Sequence, residues 1–162
     1  MKRALFQLWL CLILFLAGCT PKSAPPTTRP DPASVERVWL YGPRASAADI
    51  VWQPSGLGIR VLAPGQGVAP LPSDRVRVHY LCQLKDGKVA DDSRARGQPA
   101  EFVVKSLIAG WAEGMLSLKP GGHAEFFVPP SLGYGNRGIG QVPPGSGLIF
   151  DVELIAVNAS AP

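Results

Sequence analysis

Short segments in which apolar and polar residues alternate dominate the chain after residue 56, and they predict β-strands. The alternation is clear over 57–61 and 76–82, and the Lys85-Asp86-Gly87-Lys88 sequence that follows is typical of a hairpin turn. Further strands are predicted over 102–104, 123–128 and 148–157. A period of two places alternate side chains on opposite faces of each strand. The turn signals between the strands predict that they form one antiparallel sheet.

One segment, 106–116, follows a helical period instead. Its apolar residues recur every four positions, at Leu107, Trp111 and Met115, and Ser106 is the predicted N-cap. The two glycines inside it each cost about 1 kcal/mol of helix stability relative to alanine. So weak a helix must be held by packing of its tryptophan stripe on the sheet. The sequence therefore predicts an α+β domain with one helix across a sheet face.

The N-terminus has the pattern of a targeting segment. Lys2 and Arg3 precede an apolar stretch over 4–16 that ends in Leu16-Ala17-Gly18-Cys19, which resembles the bacterial lipoprotein signal. That resemblance implies a signal peptide over 1–18 and lipidation of Cys19. The alternative is an ordinary secretory leader with a chance cysteine. Because no Asp follows Cys19, the predicted location is the cell envelope, facing the periplasm, at the outer membrane.

The rest of the chain divides by composition. Residues 19–34 are rich in Pro, Thr, Ser and Ala and predict a flexible tether. Residues 35–55 are too apolar for a linker, yet Gly42-Pro43 interrupts them, so they are expected to form an arm that packs either on the domain or on a partner. Residues 56–157 are the predicted globular domain, and 158–162 a tail.

Charge and motif spacing exclude several classes of function. The net charge of +4 falls to +2 once Lys2 and Arg3 leave with the leader, since 14 basic residues then face 12 acidic ones. That is too little for a nucleic-acid-binding surface. His79 and His123 are isolated, so neither a metal site nor a cofactor is predicted. The glycine-rich loop over 133–140 lacks the Lys-Ser/Thr and the following helix of a phosphate-binding loop.

The three cysteines predict no internal disulfide. Cys11 lies in the leader and Cys19 is the predicted lipidation site, which leaves Cys82 alone. Cys82 lies in a strand pattern, where a small buried hydrophobic residue is expected rather than a reactive thiol.

Seven short motifs follow one another along the predicted domain. They are Val78-His79-Tyr80, Lys85-Asp86-Gly87-Lys88, Asp91-Asp92-Ser93-Arg94, Leu107-Ile108-Ala109-Gly110-Trp111-Ala112-Glu113-Gly114, Leu132-Gly133-Tyr134-Gly135, Val142-Pro143-Pro144 and Leu148-Ile149-Phe150-Asp151-Val152-Glu153-Leu154. In this order and spacing, the chain resembles FKBP-type peptidyl-prolyl cis-trans isomerases from about residue 56 to 157. The tether and the arm lie outside the resemblance.

The resemblance implies an antiparallel half-barrel of five to six strands, wrapped on one short central helix, with an apolar pocket between them. Trp111 corresponds to the pocket floor. The backbone N–H of Ile108 and the hydroxyl of Tyr134 correspond to the donors that hold the carbonyls beside a bound proline. The pocket wall corresponds to Tyr80, Leu107, Ile108, Tyr134, Val142 and Phe150.

A polar edge is implied beside this pocket. Asp91 corresponds to a carboxylate that contacts Tyr80 and Arg96 in the family. The residues that correspond to catalytic positions are Tyr80, Asp91, Trp111, Tyr134 and Phe150, and those that correspond to substrate-binding positions are Leu107, Ile108, Val142, Arg96 and position 90. No metal or cofactor is implied.

Position 90 departs from the family. Its members usually carry an aromatic residue just before the Asp91 position, where this chain has Ala90, and a second, more variable aromatic position is Ala100 here. Loss of a ring from the pocket wall is expected to weaken isomerase activity and macrolide binding and to leave the fold intact.

The predicted function is therefore a peptidyl-prolyl isomerase that acts on X-Pro bonds of exported proteins. The partners implied are proline-containing polypeptides and a membrane, reached through lipid on Cys19, and a monomer is expected. The alternative is a non-catalytic FKBP-like binding module tethered to the membrane, which Ala90 favours.

Overall fold

The computed structural model describes residues 31–158. The predicted signal peptide, Cys19 and most of the predicted tether lie outside the described residues, as do residues 159–162. The elements are α1 (Pro32–Tyr41), a 3₁₀ turn (Gly42–Ser46), β1 (Val51–Trp52), β2 (Gly58–Ala63), β3 (Arg75–Gln83), β4 (Val89–Asp92), β5 (Ala100–Val103), a 3₁₀ turn (Val104–Ser106), α2 (Ala109–Met115), β6 (His123–Val128), a 3₁₀ turn (Pro130–Leu132) and β7 (Leu148–Val157). Within 31–158, no helix has the length and apolar character needed to cross a membrane.

The strands form one antiparallel sheet in the order β1-β2-β6-β7-β3-β4, with β5 also paired to β3. The α+β prediction is confirmed, and the sheet is not closed into a barrel. It has seven strands rather than five to six. The strands without a sequence signal are β1, which has only two residues, and β4, which contains two aspartates. Both owe their strand conformation to pairing with a neighbour, which a local pattern does not report.

The main core lies between α2 and one face of this sheet. Along β3, Val76, Val78, Tyr80 and Cys82 are buried, while the residues between them are partly exposed. This is the alternation expected of a strand with one covered face. Trp111 and Met115 of α2 are buried in the same cluster, so the tryptophan stripe packs on the sheet as predicted.

Helix α2 is shorter than predicted. It begins at Ala109, and Ile108 occupies the N-cap position without a side-chain cap. Ser106 ends the preceding 3₁₀ turn, and Leu107 and Ile108 are extended, so the prediction of Ser106 as N-cap was wrong. The Ile108 carbonyl instead accepts from the N–H groups of Trp111 and Ala112, each at 3.0 Å.

The two glycines of α2 lie where the helix meets β6. A Cβ on Gly110 would lie 2.6 Å from a methyl of Val128, and a Cβ on Gly114 would lie 2.9 Å from the ring of Phe126. Both neighbours are fully buried and cannot move away. These glycines therefore permit a close helix–sheet approach, which offsets their cost in helix propensity.

The arm packs on the opposite face of the sheet. Leu40, Tyr41 and Ile50 form a second cluster with Phe127 of β6 and Ile149 of β7. The Tyr41 and Phe127 rings meet edge to face at 5.5 Å. This answers the question that the sequence left open, since the arm belongs to the domain. The helix begins at Pro32, so the tether prediction was wrong for residues 32–34.

A buried carboxylate ties the arm to the sheet. Glu125 of β6 is 6% exposed and pairs with Arg44 of the first 3₁₀ turn and, at 3.3 Å, with Arg60 of β2. Arg60 also pairs with Asp49 at 2.7 Å. Because a buried charge is costly without partners, these arginines are what make the position of Glu125 tolerable.

Candidate functional site

A cavity of about 510 Å³ lies between α2 and the sheet. Of the ten pocket residues named from the sequence, nine line it: Tyr80, Ala90, Asp91, Leu107, Ile108, Trp111, Tyr134, Val142 and Phe150. The tenth, Arg96, contacts two of these nine rather than the cavity itself. Segments that are far apart in sequence thus meet at one concave site.

Aromatic rings surround Trp111 at the bottom of the cavity. The rings of Tyr80 and Phe150 each lie 5.1 Å from the Trp111 ring, at interplanar angles of 87° and 77°. Phe102 adds a third edge-on ring at 5.9 Å. Edge-to-face contacts of this kind are favourable and hold each ring in place. The result is a rigid apolar floor, and among the described residues the buried Trp111 indole N–H has no acceptor.

Two residues of the cavity wall were not predicted as site residues. Phe102 was assigned only to a strand, although it follows Ala100 by two positions and therefore shares its face of β5. Cys82 is buried, as predicted, but it also lines the cavity. Burial raises the pKa of its thiol to about 12, so Cys82 stays protonated and acts as a small apolar wall residue.

The polar edge of the cavity is a connected set of hydrogen bonds. Asp91 accepts from the Tyr80 hydroxyl and from Arg96, and the Arg96 guanidinium also donates to the Tyr80 oxygen at 3.1 Å. The backbone N–H of Asp92 donates to Asp91 at 2.8 Å. Burial acts to raise the pKa of Asp91, but the hydrogen bonds from Tyr80 and Arg96 outweigh it and hold that pKa below its usual value. The carboxylate is therefore ionised at neutral pH.

Two residues with hydrogen-bond donors, Ile108 and Tyr134, line the cavity. The N–H of Ile108, just before α2, donates to no backbone carbonyl of residues 31–158. Burial raises the pKa of the Tyr134 hydroxyl, and nearby Cys82 and Asp91 raise it further, so this group stays protonated. Hydrogen bonds from Gly135 to Pro130 and from Gly145 to Gly135, at 2.8 and 2.9 Å, fix the loop that carries Tyr134.

The two histidines of the domain are engaged elsewhere. His79 Nδ1 lies 3.1 Å from the Ser93 hydroxyl, and His123 Nε2 lies 2.9 Å from Asp151. Over residues 31–158, no group of three or more His, Cys, Asp or Glu side chains is placed to hold a metal ion.

Comparison with known sequences points to one family. Residues 67–155 match the family described as FKBP-type peptidyl-prolyl cis-trans isomerase. A probable FKBP-type peptidyl-prolyl cis-trans isomerase of Haemophilus influenzae is 44% identical over 115 residues, which are 70% of this chain and 48% of that protein. The FKBP-type 22 kDa peptidyl-prolyl cis-trans isomerase of Escherichia coli is 48% identical over 104 residues, 64% of this chain and 50% of that protein. The chain thus spans about half the length of these curated relatives.

Solved structures agree with the sequence comparison. The crystal structure of FkpA from Escherichia coli superposes with a TM-score of 0.70 at 38% identity, over 77% of this chain and 57% of that one. A peptidyl-prolyl cis-trans isomerase from Pseudomonas syringae superposes with a TM-score of 0.68 at 30% identity, over 78% of this chain and 94% of that one.

Proposed function

Since this chain belongs to the FKBP-type peptidyl-prolyl cis-trans isomerase family, we propose that its cavity catalyses rotation about X-Pro peptide bonds. The observation that carries the proposal is the convergence of nine family pocket positions on one apolar cavity with a polar edge. The substrates proposed are proline-containing polypeptides, and exported proteins in particular.

The reaction needs no covalent chemistry from the protein. Rotation about an amide has a barrier of about 18–20 kcal/mol because it destroys the resonance of the peptide bond. The cis and trans forms of an X-Pro bond differ by only about 0.5–1 kcal/mol, so both persist and interconvert slowly. A site that binds the twisted amide more tightly than the planar one lowers this barrier.

The residues of the cavity can supply that difference in binding. The floor of Trp111, Tyr80 and Phe150 takes the proline ring and excludes water. A twisted amide has less charge separation than a planar one. It therefore gives up less hydration free energy when it leaves water and enters this apolar site. The N–H of Ile108 and the hydroxyl of Tyr134 donate to the carbonyls beside the proline. They hold the substrate on one side of the X-Pro bond while the other side rotates.

The proposed cellular setting rests on the N-terminal sequence. The leader pattern over 1–18 and Cys19 support lipid anchoring in the cell envelope, with the domain facing the periplasm at the outer membrane. There the enzyme would act on newly exported chains, whose prolyl isomerisation is slow without a catalyst.

A peptide assay tests the proposed activity directly. Purified chain lacking residues 1–19 is expected to accelerate isomerisation of a Leu-Pro peptide, and the Tyr134→Phe, Asp91→Ala double variant is expected to lose at least about tenfold in kcat/KM, equivalent to about 1.4 kcal/mol. Glu36→Ala, on exposed α1 across the sheet, is the control and should retain full activity. A folded chain without acceleration would contradict the proposal.

Ala90 is expected to limit turnover. Ala90→Phe adds a ring to the cavity wall, increases contact with the proline ring and excludes water, so kcat/KM should rise about fivefold, or about 1 kcal/mol. Val89→Phe is a matched control, because adjacent residues of β4 point to opposite sides of the strand. A rise of less than about twofold in Ala90→Phe would show that Ala90 is not the limiting feature.

Activity is expected to be constant from about pH 5 to pH 9 and to decline below about pH 4. The folded-state pKa of Asp91 lies below its unfolded-state value of about 3.9. The ionised carboxylate therefore contributes its full stability to the polar edge above the unfolded-state pKa. That contribution is lost as the pH falls through the folded-state pKa. The raised pKa of Tyr80 and of Tyr134 keeps both hydroxyls protonated at alkaline pH. A pH profile of kcat/KM checks this, and an acidic limb centred above pH 5 would contradict it.

A second candidate function is a binding module that uses the same cavity to hold a partner without catalysis. Ala90 is the observation that favours it, because a wall without its ring can still bind an extended peptide. Proline-peptide binding to the folded chain, without acceleration in the Leu-Pro assay, would establish this function in place of the first.

A further inference from the structure

Helix α1 exposes an apolar face in addition to the one it buries. Leu40 and Tyr41 pack on the sheet, whereas Val35, Val38 and Trp39 point away from it and are 55%, 41% and 64% exposed. Positions i, i+3 and i+4 lie on one side of a helix, so these three residues form one continuous surface, here called the outer face of α1. A helix that is apolar on both sides is normally covered on both sides.

A basic turn borders this outer face. The Lys85 ammonium lies 4.7 Å from the Trp39 ring in a cation–π contact. Lys88, in the same β3–β4 turn, is exposed, as is Asp86 between them. An exposed tryptophan beside lysine is a combination typical of surfaces at a lipid–water interface, where the ring is half-apolar and the lysine contacts anionic headgroups.

The position of α1 in the chain places this face near a membrane. Twelve residues, 20–31, separate Cys19 from the first residue of α1. A linker of that length spans about 20 Å as a Gly/Ser-type random coil and up to about 37 Å in the extended form typical of proline-rich sequences, and four of these twelve residues are proline. If lipid on Cys19 anchors the chain, as proposed above, α1 is the helix of residues 31–158 that lies nearest to the anchor along the chain. A weak contact between α1 and lipid then becomes effectively intramolecular.

The size of the outer face argues against a second copy of the chain as its cover. The exposed fractions of Val35, Val38 and Trp39 correspond to roughly 300 Å² of apolar surface. A stable protein–protein interface needs about 800 Å² from each partner, of which somewhat more than half, about 450 Å², is apolar. The face is thus too small for a stable dimer, but it is sufficient for a tethered contact with a bilayer.

We propose that the outer face of α1 lies in the headgroup region of the membrane and fixes how the domain is held at the bilayer surface. The inference rests on the lipid anchoring proposed above and not on isomerase activity. Trp39 inserts at the level of the headgroups, and Lys85 contacts anionic lipid beside it.

Fluorescence quenching by brominated lipid tests this contact. Chain that carries Trp9→Phe, the background for all variants so that the leader contributes no tryptophan, is purified from membranes. It is reconstituted into vesicles of phosphatidylethanolamine and phosphatidylglycerol, with or without bromine on the acyl chains near the headgroup. Trp39→Phe is expected to remove most of the quenching, at least threefold relative to wild type. Trp52→Phe is the matched control, because Trp52 packs beneath Arg37 and against Phe127 and should contribute little.

Flotation of the same vesicles separates the two proposals. Co-flotation with quenching that depends on Trp39 supports both the anchor and the membrane contact. Co-flotation with equal quenching in wild type and Trp39→Phe overturns the contact and leaves the anchor. Absence of flotation overturns both. None of these three results bears on isomerase activity, which is measured with soluble peptide. Cross-linking between copies through position 38, without bromine quenching, would assign the face to a second copy and overturn the proposal.

Discussion

Replacing Phe127 by alanine is expected to lower the free energy of unfolding by about 3–5 kcal/mol, the range typical of removing a buried phenylalanine ring. Phe127 is fully buried in β6 on the sheet face that the arm covers. Its ring meets that of Tyr41 at 5.5 Å and that of Trp52 at 6.0 Å. Because small domains are stable by only about 5–15 kcal/mol, this loss is a large part of the total.

Urea unfolding measures the effect. Val61→Ala, also in the sheet but 51% exposed, is the control and should change the free energy of unfolding by no more than about 0.5 kcal/mol. A loss below about 1 kcal/mol in Phe127→Ala would mean that the arm does not pack on the sheet in solution. The variant also separates stability from catalysis, since Phe127 does not line the cavity.

The double variant Gly110→Ala, Gly114→Ala is expected to lose about 2–4 kcal/mol of stability, even though alanine is the better helix former. Alanine gains about 1 kcal/mol of helix propensity at each site. Against this, each new Cβ would lie under 3.0 Å from a fully buried side chain of β6. Overpacking of this kind costs about 1–3 kcal/mol per site. Because both contacts lie on one short helix, the cost at each site is expected at the upper end of that range.

The same variant should also lower activity. To relieve the contacts with Val128 and Phe126, α2 must move away from β6 and carry Trp111 with it, so kcat/KM is expected to fall about tenfold in protein that is still folded. Ala109→Gly, on the exposed side of α2, isolates the propensity effect and should cost no more than about 1 kcal/mol. A stability gain in the double variant would contradict this prediction, because it would show that the contact between α2 and β6 accommodates both added methyl groups.

The sequence predicted the strands whose pattern is local. The bounds of β6 and β7 match the strands predicted over 123–128 and 148–157, and the Lys85–Lys88 turn joins β3 to β4 with Gly87 at φ 83°. Along β3 and over residues 150–155 of β7, alternate residues are buried, so a local period of two reports these strands, whereas β6 is buried on both faces.

The arm could not be placed from sequence because its partner is distant. Helix α1 carries apolar residues on both sides, so periodicity does not say which side is buried. Tyr41 is buried against Phe127 and Ile149, which lie 86 and 108 positions further along the chain. Only the three-dimensional pairing of β6 with β7 creates the surface that receives it.

The residues predicted for the site came from the motifs of the resemblance. The cavity residues that this prediction omitted share one cause. Phe102 and Cys82 belong to strands, where a buried apolar residue is the ordinary expectation. Nothing in β3 or β5 distinguishes a side chain that packs in the core from one at the wall of a cavity. That distinction depends on where α2 and the loop of Tyr134 leave space.

The central place of β7 in the sheet has a consequence for folding during synthesis. β7 is the last strand in chain order within residues 31–158, yet it separates β1-β2-β6 from β3-β4-β5 and pairs with both β6 and β3. A nascent chain that ends before residue 148 therefore holds two half-sheets with no shared neighbour. Stable folding must wait until β7 has left the ribosome, and the whole sheet then forms in one cooperative step. The strand order therefore makes folding of this sheet depend on residues 148–157 and delays it until they have been synthesised.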